Sequence, residues 1–293
     1  MPIAIQSSQL TKKYGKRMGV EGLTFGVEEG SVFGFLGPNG SGKTTTMRVL
    51  LGFLRPDEGS VRVLGRDAWS DGTAIRRDVG YVPGDLRLYP WLTLNRGLRF
   101  SGSIRGRDLT RAGLELADHF SLDPSLRANV LSRGNRQKLG LILALAHRPR
   151  LVLLDEPTTA LDPLMQERLY EHLRALSAEG RTIFLSSHSL NEVERLCDHA
   201  AILREGKLAA LDSLTSLRSR AGRSVFIRFA RGGANPPDAA PPFLSMVERD
   251  DFTWQATFSG SVSPLLAWAA SQPIEDLSIG EPDLDRVFRG FYK

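Results

Sequence analysis

The sequence holds a single cysteine, Cys197, among 293 residues. One thiol cannot close an intrachain disulfide or build a cysteine-rich metal site, and it fits a reducing compartment. Long hydrophobic runs are also lacking. Among the longest is Leu139–Ala146, eight residues including Gly140, against the roughly 18 that a membrane span needs. The opening Met1-Pro2-Ile3-Ala4 has none of the basic-then-apolar pattern of a secretory signal. Lysine is scarce, seven of the 38 basic residues, so the basic charge is carried mostly by arginine. No fixed-period repeat and no low-complexity tract occurs, which excludes solenoids and biased tails.

What is present is an ordinary globular composition: 41% hydrophobic, 24% charged, and a formal net charge of +5. That excludes global disorder and collagen-like or coiled-coil chains, and the length accommodates one large or two smaller domains without staples. The 29 glycines exceed the average share of about 7%, and their positions carry information.

Apolar runs predict strands over Ile3–Leu10, Leu23–Val27 and Ser31–Leu36, with turns at Tyr14-Gly15-Lys16 and Glu28-Glu29-Gly30. Lys43–Leu51 reads as a helix stopped by Gly52, followed by short strands around Ser60–Leu64 and Val79–Val82. Residues 86–148 lack strand alternation and read as helical, with Thr93 and Thr110 as N-caps. Leu151–Leu154 and Thr182–Leu185 are short apolar strands of the kind buried inside a parallel sheet. Between them Met165, Leu169, Leu173 and Leu176 share one helical face and Gly180 closes the helix, which makes a βαβ unit. Beyond about residue 212 the texture changes. Val225–Phe229 and Phe252–Phe258 alternate as half-exposed strands around a four-proline loop, Gly232–Pro242, and Leu265–Ala270 and Leu284–Phe291 read as helices.

Two local patterns carry chemistry. Gly37-Pro38-Asn39-Gly40-Ser41-Gly42-Lys43-Thr44 fits G-x-x-x-x-G-K-[ST], after an apolar strand and at the start of a helix. A chain that wraps a triphosphate must turn its amides inward, which needs glycine where side chains would clash, while the helix points its positive end at the anion. Lys43 then reaches the β- and γ-phosphates and the Thr44 hydroxyl is placed to ligate Mg²⁺. Asp155 and Glu156 follow Leu151-Val152-Leu153-Leu154, at the carboxyl end of a buried strand, where open α/β sheets bind ligands. Asp155 suits the metal, and Glu156 suits the general base that polarises an attacking water. His188 directly follows the next strand, which favours a γ-phosphate contact over a cap. His119, His147, His172 and His199 have no such context and read as surface or packing residues, and Cys197 as core.

Leu131-Ser132-Arg133-Gly134-Asn135, with Gln137 just after, resembles the signature LSGGQ of ATP-binding-cassette (ABC) ATPases. Thr159-Ala160-Leu161-Asp162 resembles their D-loop, His188 their switch histidine and Tyr14 the aromatic that stacks on adenine. The resemblance covers residues 1 to about 212, with the motifs in family order. It implies an α/β fold: a P-loop ABC ATPase domain over 1–212, with a mixed and parallel core sheet and a helical subdomain at about 86–150. A small α+β accessory domain would occupy 213–293. It further implies ATP and Mg²⁺ as ligands, with ATP held by Tyr14 and the loop through Thr45. Two copies would close head to tail, so that Ser132, Arg133, Gly134 and Asn135 of one meet the γ-phosphate held by the other. Glu281–Tyr292 resembles the ending of ATPases that serve ABC-2-type exporters. The resemblance thus implies an exporter ATPase, peripheral on the cytoplasmic face of the membrane, powering a permease on a separate chain.

Two departures stand out. Gly84 occupies the place of the Q-loop glutamine, leaving Asp85 or a water to substitute at the metal. Arg133 and Asn135 replace the usual Gly and Gln of the signature. The alternatives are an ABC ATPase acting on nucleic acid or the ribosome, and a regulator that binds nucleotide without hydrolysis. The stretch from Thr44 to Asp155 has no room for the coiled coil of DNA-repair relatives, and the chain has one cassette, not two. Arg87, Arg96, Arg99, Arg105 and Arg107 form an acid-free run, as do Arg218, Arg220, Arg223, Arg228 and Arg231. Each suits either an anionic membrane neighbour or a solvated face. No aromatic-interleaved platform supports nucleic-acid binding, which is not expected.

Overall fold

Ile3–Tyr14 (β1) and Arg17–Glu28 (β2) form an antiparallel hairpin with its turn at Gly15-Lys16. Both strands outrun the hydrophobic alternation: Gln9 has φ 51°, and register shifts on either side of Leu10 break the period of two. The structure, a computed structural model, describes residues 2–231, 237, 239–258, 260–282 and 288. It divides into two compact units, Met1–Leu211 and Asp212–Lys293.

In the first unit the buried strand Val32–Leu36 (β3) leads into Lys43–Leu50 (α1). Glu58–Val63 (β4) and Arg66–Asp67 (β5) complete a sheet in the order β2-β1-β4-β5. Gly72–Asp78 (α2) and Val79–Val82 (β6) follow, then three helices: Leu94–Arg105 (α3), Thr110–His119 (α4) and Arg133–Leu145 (α5). Thr93 caps α3 by accepting from Arg96 N. Thr110 does not cap α4. It is the first helical residue, and Asp108 Oδ1, two residues back, accepts its N–H at 2.8 Å. Residues 120–132 are not helical, being turned by Asp123, whose carboxylate takes both Ser125 N and Ser125 Oγ.

Leu151–Asp155 (β7), Pro163–Ala178 (α6) and Thr182–Ser187 (β8) form the βαβ unit, followed by Leu190–Leu196 (α7), His199–Arg204 (β9) and Lys207–Ser213 (β10). The second sheet has the order β10-β9-β3-β8-β7-β6, with β6, β7, β8, β3 and β9 mutually parallel. Between the sheets Phe25 of β2 meets Phe33, Phe35 and Phe184, with centroids 5.5–6.2 Å apart. Parallel register sets Leu36 beside Ser187 and Asp155 beside Ser186, so the three strands end together. Cys197 is buried, and burial pushes its thiol well up.

The second unit contains Leu214–Arg220 (α8), Arg223–Phe229 (β11), Leu244–Arg249 (β12), Thr253–Phe258 (β13), Ser263–Ala269 (α9) and Ile274–Pro282 (β14). Its sheet order is β12-β13-β11-β14, and Trp254 packs between Phe229 and Trp268. The acid-free run of the sequence is compensated in space, since β14 brings Glu275 and Asp276 to Arg228 at 3.5 and 3.3 Å. Of the expected terminal helix only Phe288, which is buried, lies within the described residues.

Phe184→Ala should cost about 3–5 kcal/mol, read as a lower urea midpoint, whereas an unchanged midpoint would contradict its place in the aromatic core. His147 and His172 are held neutral, both with pKa lowered to about 4, chiefly by burial and then by Arg105 and His119 respectively. Their stabilising share is complete above the unfolded value near 6.5 and is lost as pH falls toward 4. His147→Gln should therefore flatten the stability curve in that window by up to about 1.4 kcal/mol per pH unit. Urea titrations from pH 7 to 4 that show equal slopes for the two chains would refute this.

Candidate functional site

The loop Gly37–Gly42 joins β3 to α1 and is anchored where Gly37 N donates to Ser187 O at 3.1 Å. A Cβ on Gly37 would lie 2.5 Å from Ser41 Oγ and 2.6 Å from Leu203 O. Gly42 is the N-cap of α1 at φ 106°, and a Cβ there would lie 2.4 Å from Val20 Cγ1. Both the backbone angle and the space therefore demand glycine at 42. Helix α1 has no acid of its own in its first turn, and its positive end faces the loop. Lys43 is 5% exposed; its Nζ donates to Gly37 O at 2.6 Å and Pro38 O at 3.2 Å, and lies 3.3 Å from Glu156 Oε1.

Asp155, 2% exposed, accepts from Thr44 Oγ1 at 2.6 Å and Ser186 Oγ at 2.5 Å. Glu156 departs from the strand with φ 51°, a left-handed conformation that costs a non-glycine residue about 1–2 kcal/mol. Its N–H is held by Ser186 O at 3.2 Å and Ser186 Oγ at 3.1 Å. The carboxylate lies between Lys43 Nζ and His188 Nδ1, 3.3 Å from each, and His188 is itself 59% exposed. Thr44 and Asp155 offer adjacent oxygen donors to a hard cation. Among the described residues no three His, Cys, Asp or Glu side chains cluster as a metal cage, so such an ion would complete its shell with phosphate oxygens and water. Gly84 lies beside this pair, where a Cβ would be 3.3 Å from Asp155 Oδ2. Asp85 instead pairs with Arg87 at 2.8 Å, its side chain 75% exposed.

A cleft of about 400 Å³ opens over the loop, lined among others by Tyr14, Asn39, Lys43, Thr44, Thr45 and Glu156. Tyr14 Oη is 3.4 Å from Thr45 Oγ1. Pro38 and Gly40 are exposed along the loop, whereas Ser41 is buried. Four cleft residues, Arg17, Met18, Gly19 and Arg48, escaped sequence reasoning. Arg48 was detectable as the residue one helical turn after Thr44. Arg17, three residues past Tyr14 across the hairpin turn, had no comparable signal. Glu192 was also missed, although it stands one turn after His188. It is buried, accepts from Ser187 Oγ at 2.6 Å, and burial raises its pKa.

The signature residues stand apart from the cleft lining. Ser132 caps α5 by accepting from Asn135 N at 3.2 Å, and Arg133 is exposed. Gln137 Nε2 donates to Pro157 O at 3.0 Å, and a Cβ on Gly134 would lie 2.7 Å from Ala160 O. Asp162 caps α6 by accepting from Met165 N at 3.0 Å. The signature helix is thus fastened to the loop that follows Glu156.

The pattern of the family described as ABC transporter matches residues 20–159. The linearmycin resistance ATP-binding protein LnrL of Bacillus subtilis (strain 168) is 31% identical over 301 residues, 97% of this chain and 96% of that protein. The chain belongs to the ABC transporter family of ATP-binding proteins. The Nod factor export ATP-binding protein I of Paraburkholderia xenovorans (strain LB400) is 36% identical over 262 residues, 87% of this chain and 85% of that protein. Among solved structures, the dimeric post-hydrolysis state of the ATP-binding cassette MJ0796 bound to ADP and Pi is similar, with a TM-score of 0.64 and 26% identity. It covers 72% of this chain and 98% of that one. The fold is accordingly the P-loop ABC ATPase fold. In this ABC protein Gly42→Ala should abolish ATP binding, because both φ and the Val20 contact forbid the methyl group. Retained binding by fluorescent-nucleotide titration would refute the loop geometry.

Proposed function

We propose that this chain is the ATP-hydrolysing subunit of an exporter. It closes against a second copy around two ATP molecules and drives a transmembrane permease on another polypeptide, at the cytoplasmic face of the membrane. The observation that carries the reading is the Glu156 carboxylate over the phosphate loop, 3.3 Å from both Lys43 Nζ and His188 Nδ1. There it accepts a proton from water as the water oxygen attacks the γ-phosphorus. The bond from that phosphorus to the β–γ bridging oxygen breaks, and ADP departs with the electron pair.

The amides of Asn39, Gly40 and Gly42 to Thr45 and the Lys43 ammonium neutralise phosphate charge. His188 orients Glu156 and contacts the γ-phosphate, while Tyr14 stacks on the adenine. Thr44 and Asp155 would hold Mg²⁺, which when bound neutralises β- and γ-oxygens. Asp85, turned to Arg87, would reach the ion only by leaving that pair.

Ser132, Arg133, Gly134 and Asn135 lie outside their own cleft, which suits a γ-phosphate contact made across to the partner copy, with Asp162 beside that junction. The relative solved as a dimer with ADP and Pi supports association with a second copy. The export role of the Nod factor relative supports the direction of transport. The two compact units, Met1–Leu211 and Asp212–Lys293, support reading 1–212 as cassette and 213–293 as accessory domain. No helix of the described residues is long and apolar enough to cross a membrane. The names of the relatives as ATP-binding proteins of export and resistance systems support a permease on a separate chain. Glu156→Gln should bind ATP with near-normal affinity and release phosphate at least about 100-fold more slowly. Normal turnover in that variant would remove the general-base role.

A further inference from the structure

Strands β6, β7 and β8 begin at Val79, Leu151 and Thr182. Around these amino ends the first unit carries a cavity of about 480 Å³, larger than the nucleotide cleft of about 400 Å³. Five arginines line it: Arg77 near the end of α2, Arg107 between α3 and α4, Arg148 and Arg150 between α5 and β7, and Arg181 just before β8. The acids among the lining residues are Asp78 and Asp108, and Asp108 is engaged by Thr110 N.

Arg148 and Arg150 do reach carboxylates, Glu179 at 2.7 Å and Glu29 at 3.3 Å, but neither partner lines the cavity. Exposed pairs of this kind bind weakly. Arg181 lines the cavity, and its Nε is buried without a hydrogen-bond partner. Burial and then Arg107 of the lining lower the pKa of Arg105.

Arg107 also donates to the His147 carbonyl. Five arginines around one concave space suit phosphoryl oxygens, which planar guanidinium forks bind in pairs. The hydrolytic site makes no use of these residues, because it lies at the carboxyl ends of the same strands. With β7 and β8 five and six residues long, the two places are about 15–20 Å apart. We propose that this cavity is a second anion site, separate from the nucleotide cleft, that binds a small polyphosphorylated ligand. The concave shape favours a free polyphosphate over the headgroup of a lipid, which shares its chemistry.

The test uses the full chain carrying Lys43→Ala, so that the phosphate loop does not compete, and tripolyphosphate as the probe. Calorimetry should show one site per chain, weakened at least tenfold by adding Arg77→Gln and Arg181→Gln. Arg77 is exposed, so Arg77→Gln alone, expected to weaken binding about threefold or more, serves if the double change fails to fold. Co-sedimentation with phosphatidylglycerol or phosphatidylcholine vesicles separates the two sources. Arginine-dependent capture on phosphatidylglycerol, without binding of tripolyphosphate, would assign the same site to a lipid headgroup. Binding of neither probe, or binding that these arginine changes leave unaltered, would overturn the proposal.

Discussion

At the carboxyl end of β8, two serines tie the halves of the cleft together. Ser186 Oγ donates to Asp155, and its carbonyl and hydroxyl both receive the Glu156 N–H. The Ser187 carbonyl receives the Gly37 N–H, and its hydroxyl donates to Glu192. Both side chains are buried, so each bond forms where water does not compete. This arrangement follows from register. A one-residue slip of β8 against β3 or β7 would turn these hydroxyls to the other face of the sheet and separate the phosphate loop from its acids.

The charges of the site balance locally. Lys43 is almost wholly buried, and three oxygens, two carbonyls and one carboxylate, surround its ammonium. Asp155 is equally buried and answered by two hydroxyl donors rather than by a cation. Glu156, the more exposed acid, takes the strained backbone and is held there by both main-chain and side-chain bonds from its neighbour strand. Strain at such a position persists only where the surroundings over-determine it, and the buried parallel strands on either side do so.

The phosphate loop and the Asp155-Glu156 pair were legible because their geometry is local: an apolar strand, then the residues that a strand end or helix start presents. The βαβ unit was legible for the same reason, through runs too apolar to face water. What the sequence left hidden depends on distant partners. Strand β1 continued past Leu10 because its bulges shift the alternation while β2 and β4 still pair with it. Strand β12 has only Leu244 buried, so no alternation marked it. Arg228 looked uncompensated until β14 lay beside β11, and Glu192 became a buried partner of Ser187 only through the packing of α7.

The approach of Gly134 to Ala160 links two motifs within one chain, over a gap that excludes a methyl group. Ala160 itself has φ 70°, so its carbonyl is aimed by a conformation that few substitutions would preserve. The volume beside Gly134 is therefore filled by backbone, while the Ala160 side chain itself is exposed. A larger residue at 134 demands withdrawal of that carbonyl, so a damaging change at Gly134 reports first on the neighbouring loop of its own subunit. The constraint runs one way, from the signature helix to the path of the loop.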